Sequence, residues 1–289
     1  MRLAIFMSGT GSNAKKIIEK YLTQKELGIN NFKPALIFTD NPESNAYKIA
    51  KIDYKNKCFE VPFVINSIKE FYKKQGSDNL RDMKIREEYD KEQLKILNDN
   101  GIDAVALAGY DWKVSPVICD KILTVNVHPG DLRKTFPDSR KRMYIGLAWE
   151  PSAKAILNGE NKVYTSVHLV TSQLDGGPLL AVSAPQDIQE EVLSLEDRTV
   201  LLGKVLGMEN PVKYISRFIK ENPGLTDEEI SALFPIYGFA KDCQERLKIH
   251  GDWIIFPKVI EYISLGRYAK DEAGNLYFNN KPIPNGLGF

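Results

Sequence analysis

Three polar side chains in this sequence could together catalyse a reaction at a carbonyl carbon. Asn126 and His128 follow the apolar run 122–125, which predicts the end of a buried strand. Residues two apart on a strand point to the same side, so the carboxamide and the imidazole share one face. Asp175 precedes a Gly-Gly turn and follows a second strand-like run, 164–170. A carboxamide can polarise a carbonyl, an imidazole can move a proton, and a carboxylate can orient the imidazole.

Each of these residues also has a structural explanation. Asn126 and His128 could form a polar strand end that bonds to the backbone, and Asp175 could be a turn-forming residue. His168 lies inside the strand-like run, where a histidine more often belongs to the core, so it is not predicted to be catalytic. His250 lies beside a helix-like segment and is predicted to be on the surface.

The N-terminal residues predict a strand, a turn and a helix. Residues 3–7 are apolar, residues 8–13 are small, and residues 14–22 have the spacing of an amphipathic helix. Glycine lets backbone N–H groups approach a ligand, and a helix N-terminus adds partial positive charge, so this turn suits a phosphate. The third glycine of the dinucleotide fingerprint is missing. A tight turn without a ligand is an equal alternative.

The same alternation of strand and helix continues along the chain. Further strands are predicted at 35–38, 58–61, 103–109 and 122–125, with helices from near Ser44 and over 85–100. This order predicts the α/β class, with a Rossmann-like, mostly parallel sheet flanked by helices. Ligands of such sheets bind at the carboxyl ends of the strands, which is where the Ser8 turn, Asn126 and His128 would lie.

Composition excludes several classes of protein. The chain has 289 residues, of which 43% are hydrophobic, so it can bury a large core. Its formal net charge of +1 gives no electrostatic case for nucleic acid as a partner. Its three cysteines are far apart and fit neither a disulfide framework nor a zinc site. We therefore predict a cytoplasmic protein with no membrane segment, since no apolar run approaches the length of a span.

A series of short motifs extends over most of residues 1–185 and 250–289. They are SGTGSN at 8–13, REEYD at 86–90, LAGY at 107–110, NVHP at 126–129, TSVH at 165–168 and LDGGP at 174–178, followed by FPKVI at 256–260 and GR at 266–267. In this order, the motifs resemble those of the glycinamide ribonucleotide formyltransferase family. The resemblance implies the formyltransferase fold over a single domain, 1–289.

The resemblance also implies a reaction. The donor would be 10-formyltetrahydrofolate, and the acceptor would be a primary amine on a phosphorylated ribose. Amine attack on the formyl carbon gives a tetrahedral oxyanion, which Asn126 would stabilise by about 3 to 4 kcal/mol. His128 would act as acid and base or donate a second hydrogen bond, and Asp175 would orient His128 and help to pass the amine proton to the folate nitrogen. No metal is implied.

Binding residues follow from the same resemblance. Gly11, Ser12 and Asn13 would bind the substrate phosphate, and Asp252 would bind the ribose hydroxyls, one methylene shorter than the family's glutamate. The folate would lie beside residues 110–114. Its predicted contacts are Tyr110, Asp111, Trp112 and Val114. Asp111 and Lys113 replace residues that are usually hydrophobic in the family.

Two segments depart from the family pattern. Residues 130–151 form a longer, basic loop, with Arg133, Lys134, Arg140, Lys141 and Arg142, of a length typical of lids and mobile loops. Residues 207–248 are predicted to be a helical insertion, because Thr226 and Glu229 have the spacing of a capping box. The insertion could cover the site or contact another subunit.

Several alternatives stay open at this point. The enzyme could be a paralogue that formylates another phosphorylated amine. It could be the hydrolase of the same folate, which shares the three residues, although relatives of that enzyme carry an added N-terminal regulatory domain that is not expected here. It could also be a nucleotide-binding module without catalysis. We expect small-molecule substrates as partners and a monomer or homodimer.

Overall fold

The central feature is an eight-stranded, largely parallel sheet. The computed structural model describes residues 1–139, 141–188, 200–205 and 207–289. Their strands are β1 (Arg2–Phe6), β2 (Lys33–Thr39), β3 (Phe63–Ile65), β4 (Ala104–Leu107), β5 (Leu123–His128), β6 (Lys162–Val163), β7 (Ser166–Leu169), β8 (Leu179–Val182), β9 (Gln186–Asp187), β10 (Tyr268–Lys270), β11 (Leu276–Phe278), β12 (Lys281–Pro282) and β13 (Leu287–Gly288). The sheet order is β13-β8-β7-β5-β4-β1-β2-β3.

Helices connect and follow these strands. They are α1 (Ser12–Glu26), α2 (Ala46–Lys51), α3 (Ile68–Lys74), α4 (Met83–Asp99), α5 (Pro116–Cys119), α6 (Glu150–Leu157), α7 (Pro211–Glu221), α8 (Asp227–Leu233), α9 (Pro235–Leu247) and α10 (Trp253–Ser264). The pairs β1–β2, β1–β4, β2–β3 and β4–β5 are all parallel. The prediction of an α/β fold with a mostly parallel sheet is therefore confirmed.

The chain forms two compact units. The first comprises Met1–Val127, Val167–Ala181 and Trp253–Leu287, and the second comprises His128–Ser166, Val182–Asp252 and Gly288–Phe289. The core of the first unit includes the fully buried side chains of β1 and β4, because strands covered on both faces are apolar throughout. Small antiparallel sheets complete the structure, β10-β11-β12 and β6-β9.

One predicted strand, 58–61, is wrong. Cys58 has a positive φ of 51° after the short 3₁₀ turn Lys55–Lys57, so the chain is not extended there. The strand begins at Phe63, directly after Pro62, and pairs in parallel with β2. Phe59 and Val61 are nevertheless buried, and this burial produced the strand-like pattern in the sequence.

The second unit has a helical core, as expected for the C-terminal part of the chain. Helices α6, α7, α8 and α9 pack around buried side chains such as Ile156, Ile215, Phe234 and Leu247. The predicted capping box is formed, because Thr226 Oγ1 accepts from the Glu229 N–H and Glu229 Oε2 accepts from the Thr226 N–H. The single domain over 1–289, with an insertion at about 207–248, stays a prediction.

The capping box predicts a measurable effect on stability. Thr226→Ala removes the oxygen that accepts from the Glu229 N–H, so we expect the free energy of unfolding to fall by about 1 kcal/mol. Urea denaturation of the variant and the wild type measures this difference. Thr226→Ser keeps the hydroxyl and serves as the control. Equal stability of all three proteins would show that the cap contributes nothing.

Candidate active site

Asn126 lies near the carboxyl end of β5, where the parallel sheet presents polar side chains. Its register partner on β4 is Leu107, and the same sheet order places β7 on the other side of β5. Asn126 is partly buried, and its Nδ2 atom lies 3.3 Å from Nε2 of His168 on β7. Nδ2 carries two hydrogens, so the carboxamide can bond to His168 and also donate to a ligand.

His168 lies between Asn126 and Asp175. The ring is buried, and Nδ1 lies 2.8 Å from the carbonyl oxygen of Leu169, which can only accept. The proton on Nδ1 is therefore fixed, and Nε2 of the neutral ring accepts from Asn126. Nε2 also lies 3.6 Å from Asp175 Oδ1, so a protonated ring would form an ion pair with that carboxylate.

Asp175 is held by an unusual backbone geometry. Its φ is 47°, a left-handed conformation that Asp and Asn adopt more readily than most residues. Two residues later, a Cβ on Gly177 would lie 1.8 Å from the carbonyl oxygen of Leu169, so only glycine fits. The Asp-Gly-Gly sequence thus returns the chain against β7 and keeps the carboxylate near His168.

His128 ends β5 and belongs to the second unit. Its imidazole is buried, and Nε2 lies 2.7 Å from the carbonyl oxygen of Tyr144. Because that oxygen can only accept, Nε2 carries the proton and Nδ1 is the acceptor nitrogen of the neutral ring. A Cβ on Gly130 would lie 2.4 Å from the same carbonyl oxygen, so glycine is required beside the histidine.

The predicted phosphate turn leads into the N-terminus of α1. Gly11 is the N-cap of α1 and has a φ of 71°, so no side chain caps the first N–H groups of the helix. A Cβ at Gly11 would lie 2.4 Å from Ile49 Cδ1 and 2.6 Å from Met7 Cε. Ser12 and Asn13 begin the helix and are partly exposed. The N–H groups of this first helical turn can therefore bind an anion.

The predicted folate segment is divided between core and surface. Tyr110 is buried against Phe6, and its hydroxyl accepts from Arg86 Nη2 at 3.1 Å. Val114 is also buried, whereas Asp111 is exposed and Trp112 is partly buried. Of the four predicted contacts, Asp111 and Trp112 therefore have side chains that are accessible to a ligand.

The pKa of the Asp111 carboxyl is raised by its surroundings. Desolvation raises the pKa of the Asp111 carboxyl, and the negative charge of Asp40 raises it further. A raised pKa means that protonation of this carboxyl costs less than for a free aspartate.

Asp252 lies in the second unit, at the end of the π-helical segment Lys248–Asp252. The carboxylate is buried, and Oδ1 accepts from Thr165 Oγ1 at 2.7 Å. A Cβ on the preceding Gly251 would lie 2.4 Å from the same hydroxyl. Thr165 thus fixes the orientation of the carboxylate.

Comparison with known proteins identifies the family. A family model described as formyl transferase matches residues 1–205. The chain belongs to the formyl transferase family. This finding confirms the resemblance that the sequence motifs indicated.

Two of the curated proteins that are similar to this chain are phosphoribosylglycinamide formyltransferases. The enzyme from Escherichia coli K12 is 35% identical over 97 residues, which cover 33% of this chain and 41% of that enzyme. The Haemophilus influenzae enzyme is 26% identical over 197 residues, which cover 66% of this chain and 77% of that enzyme. The E. coli alignment thus spans less than half of its relative.

Solved structures of formyl transferases have the same fold. The phosphoribosylglycinamide formyltransferase of Coxiella burnetii, in complex with CHES, covers 100% of this chain and 99% of its own, with a TM-score of 0.59 and 18% identity. The Anaplasma phagocytophilum enzyme covers 100% and 98%, with a TM-score of 0.60 and 14% identity. At these identities the comparison establishes the fold.

The basic loop of this formyl transferase is partly ordered by its own contacts. Thr135 and Arg142 form a β-bridge, and Arg133 makes two hydrogen bonds of 2.8 Å to the buried Asp131 carboxylate. The Arg133 guanidinium also stacks 4.5 Å from the Tyr164 ring centroid. Arg140, which the sequence analysis included in this loop, lies outside the described residues.

His168 is the residue of the candidate site that sequence reasoning did not select. The sequence does contain a signal for His168. Ser166 and His168 are two residues apart on a strand, so their side chains share one face, and the LDGGP motif follows shortly after that strand. Each helix in the described ranges is too short or too polar to span a membrane. The described residues hold no cluster of three or more His, Cys, Asp or Glu side chains placed to bind a metal ion.

Proposed function

We propose that this protein transfers the formyl group of 10-formyltetrahydrofolate to the primary amine of glycinamide ribonucleotide. One observation carries the proposal. In the first unit, the Asn126 amide lies 3.3 Å from His168, which lies 3.6 Å from Asp175, at the carboxyl edge of a formyl transferase sheet. The curated relatives named above are phosphoribosylglycinamide formyltransferases, which supports this acceptor.

The chemistry of the site fits a formyl donor. Leu174, directly before Asp175, is 54% exposed, and Trp112 is partly buried, so both offer apolar surface to a folate ring. Tyr110 and Val114 are in the core, so we assign them a role through their backbone groups. Asp111 completes the donor-binding segment. The donor supplies an electrophilic formyl carbon.

Three residues would act on the reacting atoms. Asn126 donates an Nδ2–H to the formyl oxygen as negative charge develops on it. His128, whose Nε2–H is held by the Tyr144 carbonyl, accepts the proton of the amine as the amine nitrogen bonds to the formyl carbon. It then gives this proton to the folate nitrogen as the bond between that nitrogen and the formyl carbon breaks. Asp175, whose carboxylate lies 3.6 Å from His168 Nε2, holds that ring beside the Asn126 amide and assists transfer of the amine proton. His168 thus positions the amide.

The acceptor would be held at its phosphate and its ribose. Gly11, Ser12 and Asn13 present the first N–H groups of α1 to the phosphate, because glycine at the N-cap leaves them without a side-chain cap. Asp252, oriented by Thr165, accepts from the ribose hydroxyls. An acceptor then reacts only if it carries a phosphate that binds to this turn and a primary amine that reaches the formyl carbon.

Deformylation of 10-formyltetrahydrofolate by the purified protein tests this function. The change in absorbance is followed with and without glycinamide ribonucleotide. We expect turnover that depends on the acceptor. Turnover without an acceptor would instead identify a hydrolase. Turnover only with another phosphorylated amine would identify a paralogue, and no turnover with any acceptor would leave a nucleotide-binding module.

A further inference from the structure

Asp40 connects the two segments to which the proposed substrates are assigned. It directly follows β2 and is 7% exposed. Its Oδ1 accepts from the Ser8 hydroxyl at 2.5 Å, and its Oδ2 accepts from the Trp112 indole N–H at 2.6 Å. Ser8 begins the small-residue turn that leads to Gly11, and Trp112 lies in the segment 110–114. One carboxylate therefore contacts both segments.

The charge of Asp40 makes these two hydrogen bonds strong. Within the described ranges, no Lys, Arg or His side chain lies within ion-pair distance of Asp40, so its buried charge is stabilised by hydrogen bonds. Hydrogen bonds to an ionised acceptor are about twice as strong as neutral ones. Ser8 Oγ also accepts from the backbone N–H of Asp111 at 3.1 Å. The serine thus bonds to the second segment directly as well.

The loop after β2 also holds the backbone of the turn. Asn41 Nδ2 donates to the Ser8 carbonyl at 3.0 Å, and the Asn45 side chain donates to the Thr10 carbonyl at 3.3 Å. The Asn45 backbone N–H donates to the Gly9 carbonyl at 3.1 Å. Three hydrogen bonds therefore join the turn to the loop that carries Asp40.

We propose that Asp40 is a positioning residue that couples binding of the acceptor's phosphate to binding of the formyl donor. The inference rests on the proposed function, which assigns the phosphate to Gly11, Ser12 and Asn13 and the donor to the segment 110–114. A ligand that orders one segment also fixes the Asp40 carboxylate. The second ligand then loses less conformational entropy, and by linkage the effect is reciprocal.

Two single substitutions each break one of the Asp40 hydrogen bonds. Ser8→Ala removes the hydroxyl at the phosphate turn, and Trp112→Phe removes the indole N–H but keeps an aromatic ring. In the wild type, we expect saturating inorganic phosphate to tighten binding of 10-formyltetrahydrofolate about fivefold or more, measured by isothermal titration calorimetry. In each variant we expect this enhancement to disappear. Steady-state kinetics should show the KM for the donor raised in Ser8→Ala, although that residue lies in the phosphate turn.

Matched controls make the same chemical changes elsewhere. Ser152→Ala removes a buried serine hydroxyl that has no hydrogen-bond partner in the described part of the chain, and Trp149→Phe removes another indole N–H. Both should keep the coupling. The inference is overturned if phosphate does not tighten donor binding in the wild type, or if Ser8→Ala and Trp112→Phe lower only the melting temperature. Failure of the proposed function is a separate outcome. In that case phosphate still tightens donor binding, but the transfer assay shows no turnover.

Discussion

Replacing Asn126 with alanine is expected to slow formyl transfer by about a hundredfold or more, because one preorganised donor to the developing oxyanion is lost. The effect should appear in kcat, since the interaction strengthens only as charge develops on the formyl oxygen. Binding of the acceptor's phosphate should change little. Steady-state kinetics with both substrates, together with calorimetry using inorganic phosphate, measures the two quantities separately.

Two further variants identify the cause of that loss. Asn126→Asp keeps the shape of the side chain but replaces the Nδ2 donor with an oxygen, so it should be as slow as the alanine variant. Asn98→Ala removes an exposed carboxamide from α4 and should leave turnover unchanged. If Asn126→Ala turns over at the wild-type rate, Asn126 has no role in the mechanism.

The parallel sheet could be predicted because strands such as β1 and β4 contain a continuous apolar run. β1 and β4 are buried on both faces, and such runs have a simple signature in sequence. The segment 58–61 has a similar composition but a different conformation. Its backbone is set by the positive φ of Cys58 and by Pro62, and neither can be inferred from hydrophobic spacing.

The site could be predicted as a set of strand ends but not as a set of contacts. Asn126 and Asp175 were found from local patterns, and the structure brings both to the His168 ring. Selecting His168 requires knowing that β7 lies beside β5 and that Gly177 returns the chain against β7. The hydrogen bond between Asp40 and Trp112 is equally non-local, because these residues are 72 positions apart in the sequence and meet only in the folded structure.

Asp175→Asn should lower kcat by about a hundredfold while leaving the fold intact, the effect expected when a proton-transfer network loses its charged member. Asparagine tolerates the positive φ of 47° at this position, so the turn before Gly176 should be retained. The substitution removes the negative charge 3.6 Å from His168 Nε2, and a protonated His168 then loses its ion pair. Asp99→Asn, an exposed charge removal on α4, is the control for charge alone. Thermal unfolding and kcat measured on the same samples separate the two explanations: a lower melting temperature with unchanged kcat would show that Asp175 only forms the turn.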